Sequence, residues 1–550
     1  MSANTAQGTG ARANIQKLIT SGFRFEHSRH LILTLSEPVQ ARQFLAALAQ
    51  DGWLVPAHED WAGAGGPARL AQRFAGGRCP LSLGITFNGL LGLGLDARKL
   101  DLLRAKAPAF VQGAHGRAQV HLGDTDGSQP ALWEASFQPA AADLLLVLHA
   151  NTAAQLEQAQ QRLSEMPGST GWHGWHDHWA AHDGAHLGTD PQQRRLHFNL
   201  LDGLSQPVIL PEPPGPADRP DNSRNCHRLG EFVLGYQDNA GVNSWRLAAE
   251  RPAASGLPIA QQSAELAAFF KDSSFAAFRK IAQDESAFAE FVQRQAQAIQ
   301  GRFTLGQAQA FVRAKLVGRW DDGQVVQPAD ALCARPGVAL AREHFDYSQD
   351  QAGLGCPFGA HIRRMNPRDD PVVPFRRRPI LRRGMPYGPR IEGSDGAPSS
   401  TNTSTSISTT AGPPAPERGL LGLFFCANLE QQFEHLLGQW ANDTPMGPDN
   451  RGNARDPLIG NNLPDHHSYH IPMGQDSALQ LRGLLPFVTT KGTLYTWFPG
   501  LSAIAQLAQP NPNQTPIARG PLARQAPRHA LARCRWPQTI SRHPVATAIW

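Results

Sequence analysis

One histidine and a run of arginines lie close together in residues 353–390, where the residue types could do the most chemistry. After His361 come Arg363, Arg364, Arg368, Arg376, Arg377, Arg378, Arg382 and Arg383. Neutral imidazole is a good ligand for iron, and guanidinium groups pair with carboxylates. The pattern therefore fits a buried haem, with an axial ligand for the iron and cations for the two propionates. A solvated basic face and a phosphate-binding patch fit the same residues.

A second stretch, LHFNLLDGLSQPVI (196–209), places a carboxylate after an apolar run. Asp202 is followed by Gly203, and glycine allows a tight turn that can carry an acidic side chain into a cavity. An ordinary Asp-Gly turn on the surface is the alternative interpretation, so the motif alone does not identify an acid-base residue.

Five histidines form a third candidate site within GWHGWHDHWAAHDGAHLG (171–188): His173, His176, His178, His182 and His186. If residues 178–186 were helical, the last three would share one face and could bind a metal. The interleaved glycine and tryptophan residues break helical continuity, which favours loop histidines over a metal site.

Size and composition limit the class of protein. A chain of 550 residues exceeds what one hydrophobic core usually organises, so we expect two or more domains. Its formal charge of +5 permits an anionic ligand but does not by itself indicate nucleic acid. The six cysteines contain no C-x-x-C pair, which argues against a zinc ribbon or disulfide scaffold. With no visible export signal and no long apolar run, we expect a cytoplasmic protein without a membrane span.

Alternating strands and helices predict an α+β fold. Residues 30–37 and 143–150 have the pattern of strands, whereas 39–50 and 153–166 have helical apolar spacing. Further along, 274–299 is predicted to be one helix, and 481–499 two strands around a turn at Lys491-Gly492. We expect an α+β sandwich in which one sheet is covered by helices on a single face.

Three segments have little to bury and are predicted to be irregular. They are a disordered lead (1–12), a mobile Ser/Thr/Gly/Pro-rich loop (391–417) and a basic, Pro- and Ala-rich tail (509–550).

Taken in order, HFNLLDGLSQPVI, GEFVLGY, AHIRRMNPR, ILRRGMPYG and GLLGLFFCANLEQQFE resemble blocks of the dye-decolorizing peroxidases, in particular their longer-chain class. The likeness covers residues 14–507. It implies two ferredoxin-like domains, 13–210 and 211–508, each an antiparallel sheet covered by helices, in a dimeric α+β barrel-type arrangement. The second domain would hold most of one haem b per chain.

The resemblance also implies site residues. His361 would be the proximal iron ligand, Asp202 the distal acid-base residue and Arg382 the distal charge stabiliser. Arg363 lies where the family has an arginine that pairs with a propionate. Asp456, in DPLIG, is the candidate acceptor for the proximal imidazole, a contact that fixes the tautomer and raises ligand basicity.

Two aromatic residues are candidate electron relays for bulky substrates: Tyr387, with a packing role as the alternative, and less strongly Trp497. The sequence also departs from the family pattern on the distal side. Asn199 replaces the first motif glycine, Leu200 replaces the usual aromatic residue, and Gly422 stands where family members usually carry a phenylalanine. These changes affect the expected shape and polarity of the pocket.

The resemblance thus predicts a haem peroxidase that uses hydrogen peroxide to oxidise bulky dyes and phenolics by one-electron steps. An aspartate base, with a reference pKa of about 3.9, predicts activity that persists below neutral pH. One alternative is a haem-binding or haem-trafficking protein with little turnover, and another is a metal-dependent hydrolase that uses the 173–186 histidines. A nucleic-acid-binding role is least favoured, because no stacking aromatic residues are interleaved with the arginines. Homo-oligomerisation is left open.

Overall fold

The computed structural model describes residues 12–58, 72–74, 76–188, 190, 194–201, 203–246, 259–299, 301, 303–328, 345–372, 377–389, 416–443, 454–474 and 477–509. The predicted lead (1–12), loop (391–417) and tail (509–550) lie almost entirely outside the described residues. Their irregular character therefore stays a prediction.

The strands are rich in aliphatic and aromatic residues, as the buried LLLVLHA run of 144–150 illustrates. They are β1 (His27–Leu35), β2 (Leu81–Ile85), β3 (Leu144–Ala150), β4 (Trp172–His173), β5 (Ala181–Ala185), β6 (Val208–Ile209), β7 (Cys226–His227), β8 (Ser274–Gln283), β9 (Leu381–Tyr387), β10 (Gly419–Cys426), β11 (Tyr469–Gly474), β12 (Ser477–Leu481) and β13 (Val488–Phe498).

Several helices begin with a side-chain cap, such as the reciprocal Thr304–Gln307 capping box that satisfies two N-terminal N–H groups of one of them. They are α1 (Lys17–Thr20), α2 (Pro38–Gln50), α3 (Phe87–Gly92), α4 (Ala97–Lys106), α5 (Pro108–Arg117), α6 (Ala153–Ser164), α7 (Ile259–Phe270), α8 (Glu285–Ile299), α9 (Leu305–Val317), α10 (His361–Met365), α11 (Glu430–Ala441, wound as a π-helix) and α12 (Leu501–Leu507).

One antiparallel sheet runs through the described part of both halves of the chain. Its order is β4-β1-β3-β2-β13-β8-β10-β9, with β5 also paired to β1. The first-half strands join the second-half strands where Trp497 of β13 pairs with Ile85 of β2. The predicted α+β class with a large antiparallel sheet is confirmed. The division into domains at residue 210 stays a prediction.

The two outer edges of this sheet approach each other, but in the described ranges no strand pairing joins them. A Cβ atom on Gly184 of β5 would lie 3.0 Å from the side chain of Met385 of β9. The sheet is therefore strongly curved, but its strand pairing, as far as it is described, does not close a barrel.

Two local predictions are wrong. Residues 274–283 form strand β8, because they pair along their whole length with β10 and β13; the helix begins only at Glu285. At Lys491-Gly492 the chain does not turn. Strand β13 continues through a bulge there, and Gly492 is needed because a Cβ atom would lie 2.0 Å from the ring of Phe137. In both cases non-local pairing overrides the local pattern.

The main hydrophobic core lies along the sheet and combines residues of both halves, including Leu146, Phe278 and Trp497. A second core lies between helices α8 and α9 and the β11–β12 hairpin, around Phe291 and Tyr469. Ile362, next to His361, packs against the second core, and Tyr387, in the strand of Arg382, packs against the first. Among the described residues, no helix is both long enough and apolar enough to cross a bilayer.

Candidate active site

His361 is the first residue of helix α10, and its imidazole is held by a buried carboxylate. The Nδ1–H group donates to Asp456, with Nδ1 2.9 Å from Oδ2 and 3.1 Å from Oδ1. Asp456 is 0% exposed, and its Oδ1 also accepts the N–H groups of Leu458 and Ile459. Because an ionised carboxylate only accepts, Nδ1 carries the proton and Nε2 is the nitrogen left for a metal.

The charge state of Asp456 follows from its surroundings. Burial by itself raises the pKa of a carboxyl group, but the charge and hydrogen bond of His361, helped by Arg364, outweigh burial, so the pKa of Asp456 is lowered. The ionised carboxylate therefore stabilises the folded state above the usual aspartate pKa. That contribution is lost only as the pH falls through the lower folded-state pKa, so the pair should persist in mild acid.

Arg364 ties this pair to the helix packed behind it. Its Nε donates to the carbonyl of Trp440 in α11, and its Nη1 donates to the carbonyl of Ala454 at 3.3 Å. The N–H of Asp456 in turn donates to the carbonyl of Ala441 at 2.8 Å. Helices α10 and α11 and the Asp456 segment thus form one hydrogen-bonded unit that fixes the direction of the imidazole.

The loop before His361 is held by buried charges. Asp350 accepts the N–H groups of Gly355 and Cys356 at 3.0 and 2.8 Å. The ammonium of Lys315, a residue that is 0% exposed, donates to the carbonyls of Leu354 and Gly355 at 2.7 and 2.6 Å. In the backbone that leads to His361, buried charged side chains therefore bind both N–H groups and carbonyl groups.

The structure directs Arg363 away from the role that the resemblance implies. Its side chain is 0% exposed, donating from Nε to Asp370 at 2.7 Å and from Nη1 to Asp350 at 3.1 Å. Two further hydrogen bonds go to the carbonyls of Cys356 and Asp350, and the guanidinium stacks 4.1 Å from the ring centroid of Phe358. Pairing of Arg363 with a haem propionate does not fit this arrangement, because four of its N–H groups already have partners.

Replacing Arg363 by Met should lower the free energy of unfolding by about 3–5 kcal/mol, because it leaves two buried carboxylates without their cation. The measurement is a urea titration of the purified variant. Arg98→Met is the matched control, since the Arg98 side chain is 49% exposed and such changes usually cost within about 0.5 kcal/mol. A loss no larger than that of the control would contradict the anchoring role of Arg363.

Arg382 lies in β9, exposed, and reaches the loop that follows Asp202. Its Nη2 donates to the carbonyl of Ser205 at 2.6 Å, and its backbone N–H donates to the side chain of Gln206 at 3.1 Å. The structure therefore brings Arg382 next to the segment three residues beyond Asp202. Asp202 itself lies outside the described residues.

The turn that leads to Asp202 is tight and strained. Arg195 and Leu201 form an isolated antiparallel bridge that closes it, and Nη1 of Arg195 donates to the carbonyl of Asn199 at 2.9 Å. Phe198 and Asn199 have φ values of 66° and 58°. Asparagine tolerates the left-handed region better than most residues, whereas phenylalanine does so at a cost. Asn199 stands where the resemblance predicts a glycine, and its φ is one that glycine adopts readily.

Two residues that support this turn were missed by the sequence interpretation. His197 is 1% exposed, and its Nε2 lies 2.9 Å from the carbonyl of Tyr387 at the end of β9. Glu285 accepts the N–H of Phe198 at 3.3 Å and lies 3.6 Å from Nδ1 of His197. The sequence could have indicated His197, because this residue adjoins the Asp202 motif. It could not have indicated Glu285, which lies far along the chain.

Arg368 connects the histidine segment to the same loop. It is 3% exposed, and its Nη2 lies 3.3 Å from the hydroxyl of Ser205, whose carbonyl accepts from Arg382. Two guanidinium groups therefore converge on Ser205, both from the run of arginines that follows His361.

The strand register places Arg382 in a row of directly opposed residues that crosses four strands. Arg382 of β9 is opposite Phe424 of β10, Phe424 is opposite Ala277 of β8, and Ala277 is opposite Tyr495 of β13. Directly opposed residues of antiparallel strands point to the same face. On that face a Cβ atom at Gly422 would lie 2.6 Å from the ring of Phe424, so the ring of Phe424 takes the space that a larger residue 422 would need.

Of the two candidate electron relays, Tyr387 points away from the face that carries Arg382, and Trp497 lies deep below the surface. Tyr387 is five residues from Arg382 in the same strand, so its side chain points to the opposite face; its hydroxyl donates to Glu417 at 2.9 Å. Trp497 is 0% exposed, and its Nε1 donates to the hydroxyl of Ser273 at 2.7 Å. No role as a relay follows for either from these positions.

The histidine cluster does not assemble. Residues 181–185 form strand β5 rather than a helix, so the spacing that would align three histidines is absent. His182 is buried, with its Nε2 2.9 Å from the hydroxyl of Ser136, whereas His173, His176 and His178 are exposed. Across the described ranges, no group of three or more His, Cys, Asp or Glu side chains is arranged to hold a metal ion.

Comparison with known proteins finds similar peroxidases, although no family model matches the chain. The sequence is 29% identical over 328 residues to the dye-decolorizing peroxidase msp1 of Mycetinis scorodonius, a match that covers 57% of this chain and only 56% of that protein. It is 28% identical over 430 residues to the multifunctional dye peroxidase DyP2 of an Amycolatopsis species, covering 76% of this chain and 82% of that protein.

A solved structure described as a dye-decolorizing peroxidase in complex with 2,6-dimethoxyphenol matches with a TM-score of 0.66 and 22% identity, over 90% of this chain and 99% of that chain. At this identity the likeness supports the fold. The resemblance predicted from the five sequence blocks is confirmed, whereas membership of the longer-chain class stays a prediction. Sequence relatives and solved structures thus agree that the chain is similar to the dye-decolorizing peroxidases.

Proposed function

We propose that this protein is a haem peroxidase that uses hydrogen peroxide to oxidise aromatic dyes and phenols in one-electron steps. The observation that carries the proposal is the hydrogen bond of His361 to the fully buried carboxylate of Asp456. A histidine whose Nδ1 proton is held by a carboxylate is a strongly basic ligand through Nε2. Such a ligand would supply the electron density that a bound haem needs for peroxide cleavage.

The residues present fit a haem. His361 would hold the iron, which when bound supplies the redox chemistry. We propose that Arg368, rather than Arg363, pairs with a haem carboxylate, since its guanidinium faces Ser205 in the loop that Arg382 also contacts. The bidentate hydrogen bonding of guanidinium to carboxylates supports this assignment.

On the distal side, the proposal gives Asp202 and Arg382 separate tasks. Asp202 would take a proton from one oxygen of hydrogen peroxide and give it to the other, which is released as water; a bound haem would supply the two electrons that break the O–O bond. Arg382 stabilises the negative charge that develops on the leaving oxygen. The carbonyl of Ser205 holds the Arg382 guanidinium in place at 2.6 Å, so little reorganisation is required during the reaction. An aspartate base stays ionised in mild acid, which favours activity below neutral pH.

The test is oxidation of an anthraquinone dye and of 2,6-dimethoxyphenol by the haem-loaded protein and added hydrogen peroxide. We expect peroxide-dependent turnover that falls about 10²–10⁴-fold in Asp202→Asn, because general acid-base catalysis contributes about that much. Asp190→Asn, an exposed aspartate in the described part of the chain, is the matched control. Haem binding without peroxide-dependent turnover would contradict the peroxidase function and favour a haem-trafficking protein.

A further inference from the structure

We propose that the interior of the curved sheet contains a binding site for one small monovalent anion, such as chloride. The site is formed by Ser28, His30, His149 and Arg383, which lie on strands β1, β3 and β9, and we call it the interior anion site. None of these residues takes part in the reaction proposed above, and the inference does not rest on that reaction.

Three side chains of β1 and β3 carry polar atoms that have no hydrogen-bond partner among the described residues. These atoms are Oγ of Ser28, Nδ1 of His30 and Nδ1 of His149. The three residues are 1%, 4% and 7% exposed. Burying a polar atom without a partner is unfavourable, and most buried polar atoms in folded proteins are paired. Three such atoms in one place therefore point to a ligand.

The strand register places the three side chains on one face of the sheet. Ser28 is directly opposite His149, and His30 is two residues from Ser28 in the same strand, so all three point to the same side. That side faces the second half of the chain, because the ring of His30 is stacked on Phe278 of β8. Their centroids are 4.6 Å apart and their planes differ by 6°.

Arg383 supplies a positive charge to the same interior. It is opposite Leu423 of β10, and Leu423 is opposite Phe278, so the Arg383 side chain lies on the face of Phe278. Its Nε and Nη2 donate to the carbonyls of Leu18 and Ile19 at 2.9 Å each. Both acceptors are neutral groups, so these contacts do not neutralise the charge of the guanidinium.

Gly22 and Phe23 bring Arg383 and His149 to the same place. A Cβ atom on Gly22 would lie 3.5 Å from Cδ of Arg383, and the ring centroid of Phe23 is 5.0 Å from that of His149. The two basic side chains therefore lie against consecutive residues of one segment.

The electrostatic potential at His149 is positive. Burial and the charges of His30, His186 and Arg383 lower the pKa of His149 to about 3. Burial and the charge of Arg382 likewise lower the pKa of Arg383 to about 10. Within the described ranges, every ionisable group that acts on these two side chains is basic. A bound anion would oppose both shifts, because it favours the charged form of each base.

One carboxylate lies nearby, but it is already paired. Asp183 raises the pKa of His30 slightly against the larger effect of burial. It follows His182, the residue opposite His30, so its side chain points to the other face of β5. There its Oδ2 lies 2.6 Å from Nη2 of Arg29. Asp183 therefore does not serve as the counter-ion of the interior anion site.

The packing around Ser28 limits the size of the ion. Ser28 is opposite Gly184 of β5, and a Cβ atom on Gly184 would lie 3.0 Å from the side chain of Met385 in β9. Strands β5 and β9 thus approach closely beside the site. A halide ion fits this packing better than phosphate or a bulky carboxylate.

The experiment is thermal unfolding of the haem-loaded protein in increasing sodium chloride. Sodium gluconate keeps the ionic strength constant, because its anion is too large for the site. A ligand that binds only the folded protein raises the thermal midpoint as its concentration rises. We expect the midpoint to rise with chloride and with bromide, and not with gluconate.

Variants of the site test which residues bind the ion. Ser28→Ala and His149→Phe each remove one donor and keep most of the packing. Each should need about 10-fold more chloride for the same rise, the loss expected for one hydrogen bond to a charged group. Arg383→Met should abolish the response. Ser169→Ala is the matched control, because it removes a hydroxyl from a residue that is 5% exposed and lies outside the site; its response to chloride should equal that of the wild-type protein.

Arg382→Leu separates the interior anion site from the distal side, where a haem iron offers a second place for an anion. Neighbouring residues of a strand point to opposite faces, so the loss of Arg382 should leave the chloride response unchanged. A response that disappears in Arg382→Leu and persists in Arg383→Met would place the anion on the distal side and overturn the inference.

Equal midpoints in chloride and gluconate at every concentration would also overturn it, as would a wild-type response in both Ser28→Ala and His149→Phe. Anomalous diffraction from crystals grown in bromide gives the position of the ion. We expect a peak between Ser28, His149 and Arg383, and peaks confined to the outer surface would contradict the inference. Neither measurement depends on peroxide turnover, so its outcome is distinct from that of the proposed function.

Discussion

Replacing Arg382 by Leu should slow the reaction of the haem-loaded protein with hydrogen peroxide by about 10²–10³-fold, the usual loss when one fixed charge stabiliser is removed. The guanidinium is exposed, and its Nη2 donates to the carbonyl of Ser205, a neutral group. Its charge is therefore not neutralised by that contact. Leucine fills similar space but offers no charge to the leaving oxygen, so haem binding should be retained while peroxide cleavage is lost.

The measurement is stopped-flow absorbance of the haem band at increasing hydrogen peroxide concentrations. Arg382→Lys keeps the charge without the planar fork and should lose less than Leu. Arg98→Leu removes an exposed arginine of helix α4 and should react like the wild-type protein. If Arg382→Leu reacted at the wild-type rate, Arg382 would not be the distal charge stabiliser.

Part of the candidate site could be predicted, because the types and order of the residues indicated which side chains could serve a haem. The pairing of His361 with Asp456 joins residues 95 positions apart, and only the resemblance suggested it. The local periodicity of the sequence does not indicate this pairing. The opposite orientation of Arg382 and Tyr387 follows from their odd separation within strand β9, a strand that the sequence patterns did not predict.

The role of Arg363 could not be predicted from its position two residues after His361. Sequence alone does not reveal which arginine of a basic run turns inward, because that depends on where buried carboxylates lie. Here Asp350 and Asp370 flank the helix and enclose the guanidinium. The strand β8 was missed for a related reason, since its partners β10 and β13 come long after it in the chain.

Replacing His361 by Ala should weaken haem binding more than the about 10–100-fold that loss of an outer hydrogen-bond partner costs a metal site. The variant removes the iron ligand and also leaves the buried carboxylate of Asp456 without its main partner. That carboxylate would then take up a proton more readily, since burial without a cation raises the pKa of an aspartate.

Two further variants separate these effects. Asp456→Asn keeps the ligand and the shape of its support but replaces the charged acceptor by a neutral one, so binding should weaken by about 10–100-fold. His470→Ala, a half-buried histidine of strand β11, should bind haem like the wild-type protein.

The most direct test of the central claim, that Nε2 of His361 binds the haem iron with Asp456 behind it, is a titration with ferric haem followed at the Soret band. The wild-type protein should bind one haem per chain and show an imidazole-ligated spectrum. His361→Ala should lose that spectrum, and added free imidazole should restore it. A wild-type spectrum and affinity in His361→Ala, without imidazole, would contradict the assignment.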